Sequence, residues 1–138
     1  MKRSFWILIC SFLPTSIVLA QRFPVYRDTV NVAQMKFDHT HFAFGDLPQG
    51  QRVSHTYEFK NTGKVPLVIS NVLVTCGCTV PEWPKQPILK GEPGSIRIFF
   101  NTAGKQGIQN KNITILANTK HGRETLVFNA NVIIPPKK

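Results

Sequence analysis

The chain is 138 residues long, 42% hydrophobic and 17% charged, with 17 Lys and Arg against 7 Asp and Glu for a formal net charge of +10. That length suits one ordinary domain with a single core and is too short for two. The basic residues are scattered and no aromatic-rich basic motif accompanies them, which argues against nucleic-acid binding; the charge instead favours anionic partners such as acidic proteins, glycans or lipid headgroups.

Lys2 and Arg3 precede the apolar run Phe5-Trp6-Ile7-Leu8-Ile9-Cys10-Ser11-Phe12-Leu13, and Pro14 leads on to Val18-Leu19-Ala20. A positive start, a short apolar core and a small final residue are the layout of a secretory signal peptide, so residues 1–20 are expected to be cleaved after Ala20. The apolar run is shorter than the ~20 residues that cross a bilayer, so no transmembrane segment is expected after cleavage. Ile9, where a lipid-attachment site wants a small residue, argues against lipidation of Cys10. The expected destination is the periplasm, the cell surface or the medium, where paired cysteines default to a disulfide.

Residues 21–34 are polar, carry one proline and show no clear period; they read as an extended, loosely held leader. From Met35 onward the pattern is that of strands. Weak alternation over residues 32–38 is followed by strand composition over His41-Phe42-Ala43-Phe44-Gly45-Asp46-Leu47, and Pro48-Gln49-Gly50-Gln51 signals a turn. Val53, His55, Tyr57 and Phe59 then share one face while Ser54, Thr56, Glu58 and Lys60 share the other, the signature of a half-buried strand. Pro66-Leu67-Val68-Ile69 starts another strand, and the change of apolar parity between Ile69 and Val72 predicts a bulge near Ser70-Asn71.

If that run continues as a strand, Val72, Val74, Cys76 and Cys78 point the same way. An extended i to i+2 step spans about 6.6–7.2 Å, at or beyond the upper end of the roughly 4.4–6.8 Å between Cα atoms that a disulfide accepts. Bridging therefore needs a kink, which Gly77 is suited to supply. Pro81, Pro84, Pro87 and Pro93 make the next segment a loop that carries Trp83. Ile96, Ile98 and Phe100 mark the following strand, and Ile113–Ala117 and Leu126–Val132 the last two. Residues 134–138 form a short basic tail. No stretch of the mature chain has helical spacing. About seven strands at roughly ten-residue intervals predict an antiparallel immunoglobulin-like β-sandwich over residues 35–133.

The run Phe44-Gly45-Asp46-Leu47, then His55 to Lys64 with Asn61-Thr62-Gly63-Lys64, then Pro66 to Ile69, Cys76-Gly77-Cys78-Thr79, Pro81-Glu82-Trp83-Pro84 and Phe100-Asn101-Thr102 resembles the domain of unknown function 1573 family. The resemblance covers about residues 35–133. It implies an exported bacterial domain, similar in fold to the ASPM, SPD-2, hydin and major sperm protein domains, and brings no catalytic residue with it.

Cys76 and Cys78 are the leading candidates for chemistry, and three readings stay open for them. A bridge between them closes a very small ring, a local and reducible brace rather than a major staple. Two soft thiolates also suit Cu(I) or zinc, although structural zinc wants four ligands. The remaining donors are His39, His41, His55 and His121. Of these His39 and His41 read as surface residues, and His55 as a partly buried, hydrogen-bonded strand histidine. A nucleophilic cysteine needs a base or a positive charge nearby, and no local partner is visible. Trp83 is a candidate partner-binding anchor, with coverage of one end of the sandwich as the plainer reading. The expectation is an exported domain without enzyme activity or cofactor, a protein-interaction or structural module for an unknown protein or an anionic cell-envelope partner. The alternatives are a thiol- or copper-handling protein built on Cys76 and Cys78, and a chaperone-like domain that binds extended strands at a sheet edge.

Overall fold

The computed structural model describes residues 31–136. The signal-peptide reading of residues 1–20, the leader over 21–30 and the end of the basic tail at 137–138 lie outside the described residues. The strands are β1 (Met35–Phe37), β2 (His41–Pro48), β3 (Arg52–Asn61), β4 (Ile69–Val74), β5 (Thr79–Glu82), β6 (Pro93–Asn101), β7 (Gly107–Ala117) and β8 (Arg123–Ile133). They form two four-stranded sheets, one in the order β1-β3-β6-β5 and the other in the order β2-β8-β7-β4.

The sandwich expected from the alternation is present, with eight strands among the described residues. Most of its pairings are antiparallel, but β2 runs parallel to β8. Hairpin-linked neighbours such as β7 and β8 must be antiparallel. No hairpin constrains β2 and β8, which meet only after nearly the whole domain has intervened. The chain passes between sheet edges at two short crossings, residues 38–40 from β1 to β2 and residues 75–78 from β4 to β5. One crossing closes each flank of the sandwich.

Each sheet turns one side chain in two toward the other. From β3 and β6 come Tyr57, Phe59, Ile96, Ile98 and Phe100; from β7 and β8 come Ile113, Ile115, Leu126, Phe128 and Val132, all buried. Full burial of side chains of this size is worth about 1.5–3 kcal/mol each in transfer terms, which makes this interface the main stabilising element. Phe100 and Phe128 meet across the layers with ring centroids 5.2 Å apart. The β4–β7 register shifts between Ile69 and Asn71, where the change of apolar parity calls for a bulge.

Two expectations need correction. The proline-rich segment begins as a strand: Thr79, Val80, Pro81 and Glu82 pair with Phe100, Phe99, Ile98 and Arg97. Proline lacks an N–H but is tolerated on an edge strand, and β5 is an edge. The end of the leader is held, not loose. Thr62 N–H donates to the Gln34 carbonyl at 3.0 Å and Lys64 N–H to the Val32 carbonyl at 3.2 Å, while Ala33 is buried.

The Asn61-Thr62-Gly63-Lys64 run explains this docking. Asn61 is fully buried. Its Nδ2 donates to the Val65 and Ile88 carbonyls, each at 2.9 Å, and its Oδ1 accepts the Gly63 amide at 3.0 Å and the Gln34 amide at 3.4 Å. A Cβ on Gly63 would lie 2.5 Å from both Gln34 N and Val32 O, so only glycine lets the incoming chain approach this closely.

Candidate functional site

Cys76, Gly77 and Cys78 do not continue the strand. β4 ends at Val74, and the three residues form the turn that carries the chain from the edge of one sheet to the edge of the other. Thr79 N–H donates to the Cys76 carbonyl at 3.2 Å, closing the turn, and Asn101 N–H donates to the Cys78 carbonyl at 2.9 Å, tying it to β6. The turn shortens the Cys76 to Cys78 Cα separation to 5.2 Å, and the two sulfurs are bonded. The kink does not come from left-handed backbone at Gly77, which is absent from the residues with positive φ. Beyond its two chain neighbours a Cβ there would meet nothing within 4 Å, so Gly77 faces open space.

Beside the turn is an open cleft of about 350 Å³ whose lining includes Gly77, Cys78, Val80, Phe99, Arg52 and Lys105. The strand pattern explains its composition. Val80 of β5 lies opposite Phe99 of β6, on the outer face of the sheet, because their neighbours Thr79 and Phe100 face the core. The guanidinium groups of Arg52 and Arg97 each lie 5.0 Å from the Phe99 ring centroid, within cation–π range. Thr102, fully buried, ties the end of β6 to the β2–β3 turn: its hydroxyl accepts the Gln51 amide at 2.7 Å and shares its one hydrogen between the Pro48 and Gln51 carbonyls at 2.8 and 2.9 Å. The fold thus supplies the positive charge near the cysteines that is missing from their local sequence. Arg52 and Lys105 come from distant loops and strands, and no spacing rule links them to Cys78.

Trp83 follows β5 and is half-buried against the core. The Lys85 ammonium lies 3.0 Å from its ring centroid. The two partly exposed edges of this flank are blunted. Because Cys78 aims its carbonyl at β6, the backbone groups of Thr79 and Pro81 point outward; the Thr79 N–H is used in the turn and Pro81 has none. On β4 the Val72 N–H is taken by Asn71 Oδ1 at 2.8 Å.

As read from the sequence, His39 and His41 are exposed and His55 is a half-buried, hydrogen-bonded residue of β3. His39, on the 38–40 crossing, meets His55 of β3 with Nε2 atoms 2.9 Å apart, whereas His41 bonds Thr40 at 3.1 Å. Burial, and secondarily the neighbouring His39, lowers the His55 pKa. Among the described residues no cluster of three or more His, Cys, Asp or Glu is poised around one point, and no helix is long and apolar enough to cross a membrane.

A family model described as protein of unknown function (DUF1573) matches residues 35–132. No functionally curated protein matches the sequence significantly. In structure the chain is similar to a protein of unknown function from Porphyromonas gingivalis W83, with a TM-score of 0.65 and 20% identity over 80% of this chain and 51% of that one. This chain therefore spans about half the length of that protein. It is also similar to the YadV chaperone (TM-score 0.54, 12% identity, 75% of this chain and 54% of that one). A PapD-like domain of human CEP192 matches with a TM-score of 0.54 and 11% identity over 100% of this chain and 99% of that one. At these identities the likeness is one of fold.

Proposed function

We propose, from the premise that the chain belongs to the DUF1573 family, that it is a non-catalytic interaction domain of the cell envelope or exported space. Its binding face is the outer surface of β5 and β6. The observation that carries this reading is the pairing of an apolar platform, Val80 and Phe99, with Arg52, Arg97 and Lys105 around it. A half-buried aromatic flanked by cations on an outer sheet face is the chemistry that receives an acidic partner with an apolar anchor. Binding that rests on exposed cations weakens as salt screens them.

The test uses the mature protein immobilised against the exported fraction of its host, with Phe99→Ser, Arg52→Glu and, as control, Lys120→Glu from the exposed β7–β8 turn. A partner retained by the wild type and the control but lost by both site variants, and eluted by salt, supports the reading. Equal retention by all variants overturns it. Fractionation of the host tests the compartment directly, and recovery of uncleaved protein in the cytoplasm overturns that part.

A second reading is favoured by one observation: Arg52 and Lys105 line the same cleft as Cys78. Positive charge stabilises a thiolate, so a reduced pair there would be suited to thiol exchange or Cu(I) binding. Intact mass of exported protein, with and without thiol blocking, decides between them. Two blocking adducts support the thiol reading, and none supports a standing disulfide. Strand capture is less well supported, since β5 offers no free outward N–H and β4 is bulged, both features that guard edges against pairing. Peptide binding by β2 would revive it.

A further inference from the structure

The flank opposite the cysteine turn carries a second constellation, built at the crossing from β1 to β2. His39 sits on that crossing and is exposed, and His55 on β3 is half-buried. Their Nε2 atoms are 2.9 Å apart and their ring centroids 5.1 Å apart. The two nitrogens thus face each other, with one donating to the other's lone pair.

We propose that His39 and His55 form a two-imidazole site for a divalent transition-metal ion, with Cu(II) the ion held most tightly. Imidazole nitrogen binds such ions at about 2.0–2.1 Å; two ligands meeting at 90–110° then have nitrogens about 2.9–3.4 Å apart and ring centres about 4.5–5.2 Å apart. The observed 2.9 Å between nitrogens falls at the right-angle end of the first range and the 5.1 Å between ring centres at the wide end of the second, so the rings must tilt for both lone pairs to converge on one ion. An ion would replace the shared hydrogen, with the more accessible His39 ring on its short connection supplying the tilt. Among first-row divalent ions an imidazole site favours Cu(II), which also accepts tetragonal geometry with ligands at right angles.

The site is preorganised on one side. Phe42 stacks on the His55 ring at 3.5 Å between centroids and 9° between planes. Tyr57 packs edge-on to His55, with centroids 4.7 Å apart, and is itself anchored to Val127. His55 therefore presents a fixed ligand, and His39 a more accessible one on a short connection. A metal ligates the neutral imidazole, the form that burial favours at His55. No third His, Cys, Asp or Glu joins the pair among the described residues, so the remaining coordination positions are left to water or to a ligand from outside. Such an open centre differs from a closed structural zinc site, which uses four protein ligands.

The experiment is a titration of the full mature chain with copper(II) chloride, followed by calorimetry in a weakly competing buffer and by electron paramagnetic resonance. One Cu(II) per chain with nitrogen hyperfine structure from two imidazoles is expected. His39→Ala, an exposed change that leaves the core intact, should cut the affinity roughly tenfold or more, and His55→Phe should remove the signal. His41→Ala, His121→Ala and the Cys76→Ser, Cys78→Ser double variant should bind like the wild type. Unchanged affinity in folded His39→Ala, loss of binding in the cysteine variant, or no Cu(II) signal with the wild type would each overturn the assignment.

Discussion

Tyr57 donates its hydroxyl hydrogen to the Val127 carbonyl at 2.9 Å, a side-chain bond that crosses from β3 in one sheet to β8 in the other. The ring is fully buried, and burial pushes the phenol up to about 12. Removal of the hydroxyl in Tyr57→Phe leaves a carbonyl without this donor and should cost about 1–2 kcal/mol in urea denaturation.

The same phenol sets an alkaline limit. A folded pKa above the unfolded value of 10 means that the fold favours the neutral form. The associated stability is complete below pH ~10 and is lost as pH rises from there toward ~12. Near-ultraviolet titration should show Tyr57 ionising late and together with unfolding, and Tyr57→Phe should flatten that limb. Ionisation of Tyr57 at the usual pH in folded protein would contradict its burial.

Asn61 should be among the costliest polar positions. Asn61→Ala strips donors from the Val65 and Ile88 carbonyls and an acceptor from the Gly63 and Gln34 amides. Buried groups left without partners cost about 1–3 kcal/mol each, with partial relaxation, so a loss of about 2–4 kcal/mol is expected from chemical denaturation.

Gly63→Ala should act through the segment before β1. The new Cβ would clash with the backbone of residues 32–34, and overpacking of this kind costs about 1–3 kcal/mol. Amide hydrogen exchange should quicken at Thr62 and Lys64, whose N–H groups hold that segment. Unchanged protection there would show that the segment is not held by this contact.

Acid should weaken the fold at the His39–His55 pair. The folded pKa of His55 lies below its ordinary value of 6.5, so the unfolded chain binds the proton more readily. Stability is unaffected well above pH ~6.5 and falls as pH drops from 6.5 toward the lowered folded pKa. His39→Ala removes the neighbouring charge that contributes to this shift, so its acid limb should be shallower; an identical limb would leave burial as the sole cause.

Much of the architecture was legible because a strand half exposed to solvent writes its two faces into the sequence. Val53, His55, Tyr57 and Phe59 sit on the inner side of β3 as their alternation requires, and the parity change before Val72 marks a real bulge. β5 was hidden because Pro81 reads as a breaker, and only its edge position makes a proline acceptable there. Asn61 and Gly63 were visible as a motif, but their task of gripping residues 32–34 depends on a segment with no period of its own.

The amino-acid order alone determined the sheet-forming segments, their inward faces and the presence of a close cysteine pair, because these are local properties of period and composition. Tertiary structure decided which side chains meet. It turned Cys76 and Cys78 into a crossing between sheet edges, brought Arg52 and Lys105 to the same cleft, and paired His39 with His55 rather than with His41. Contacts of this kind depend on strand order, register and the direction of each crossing, which are set by how the two apolar faces bury one another.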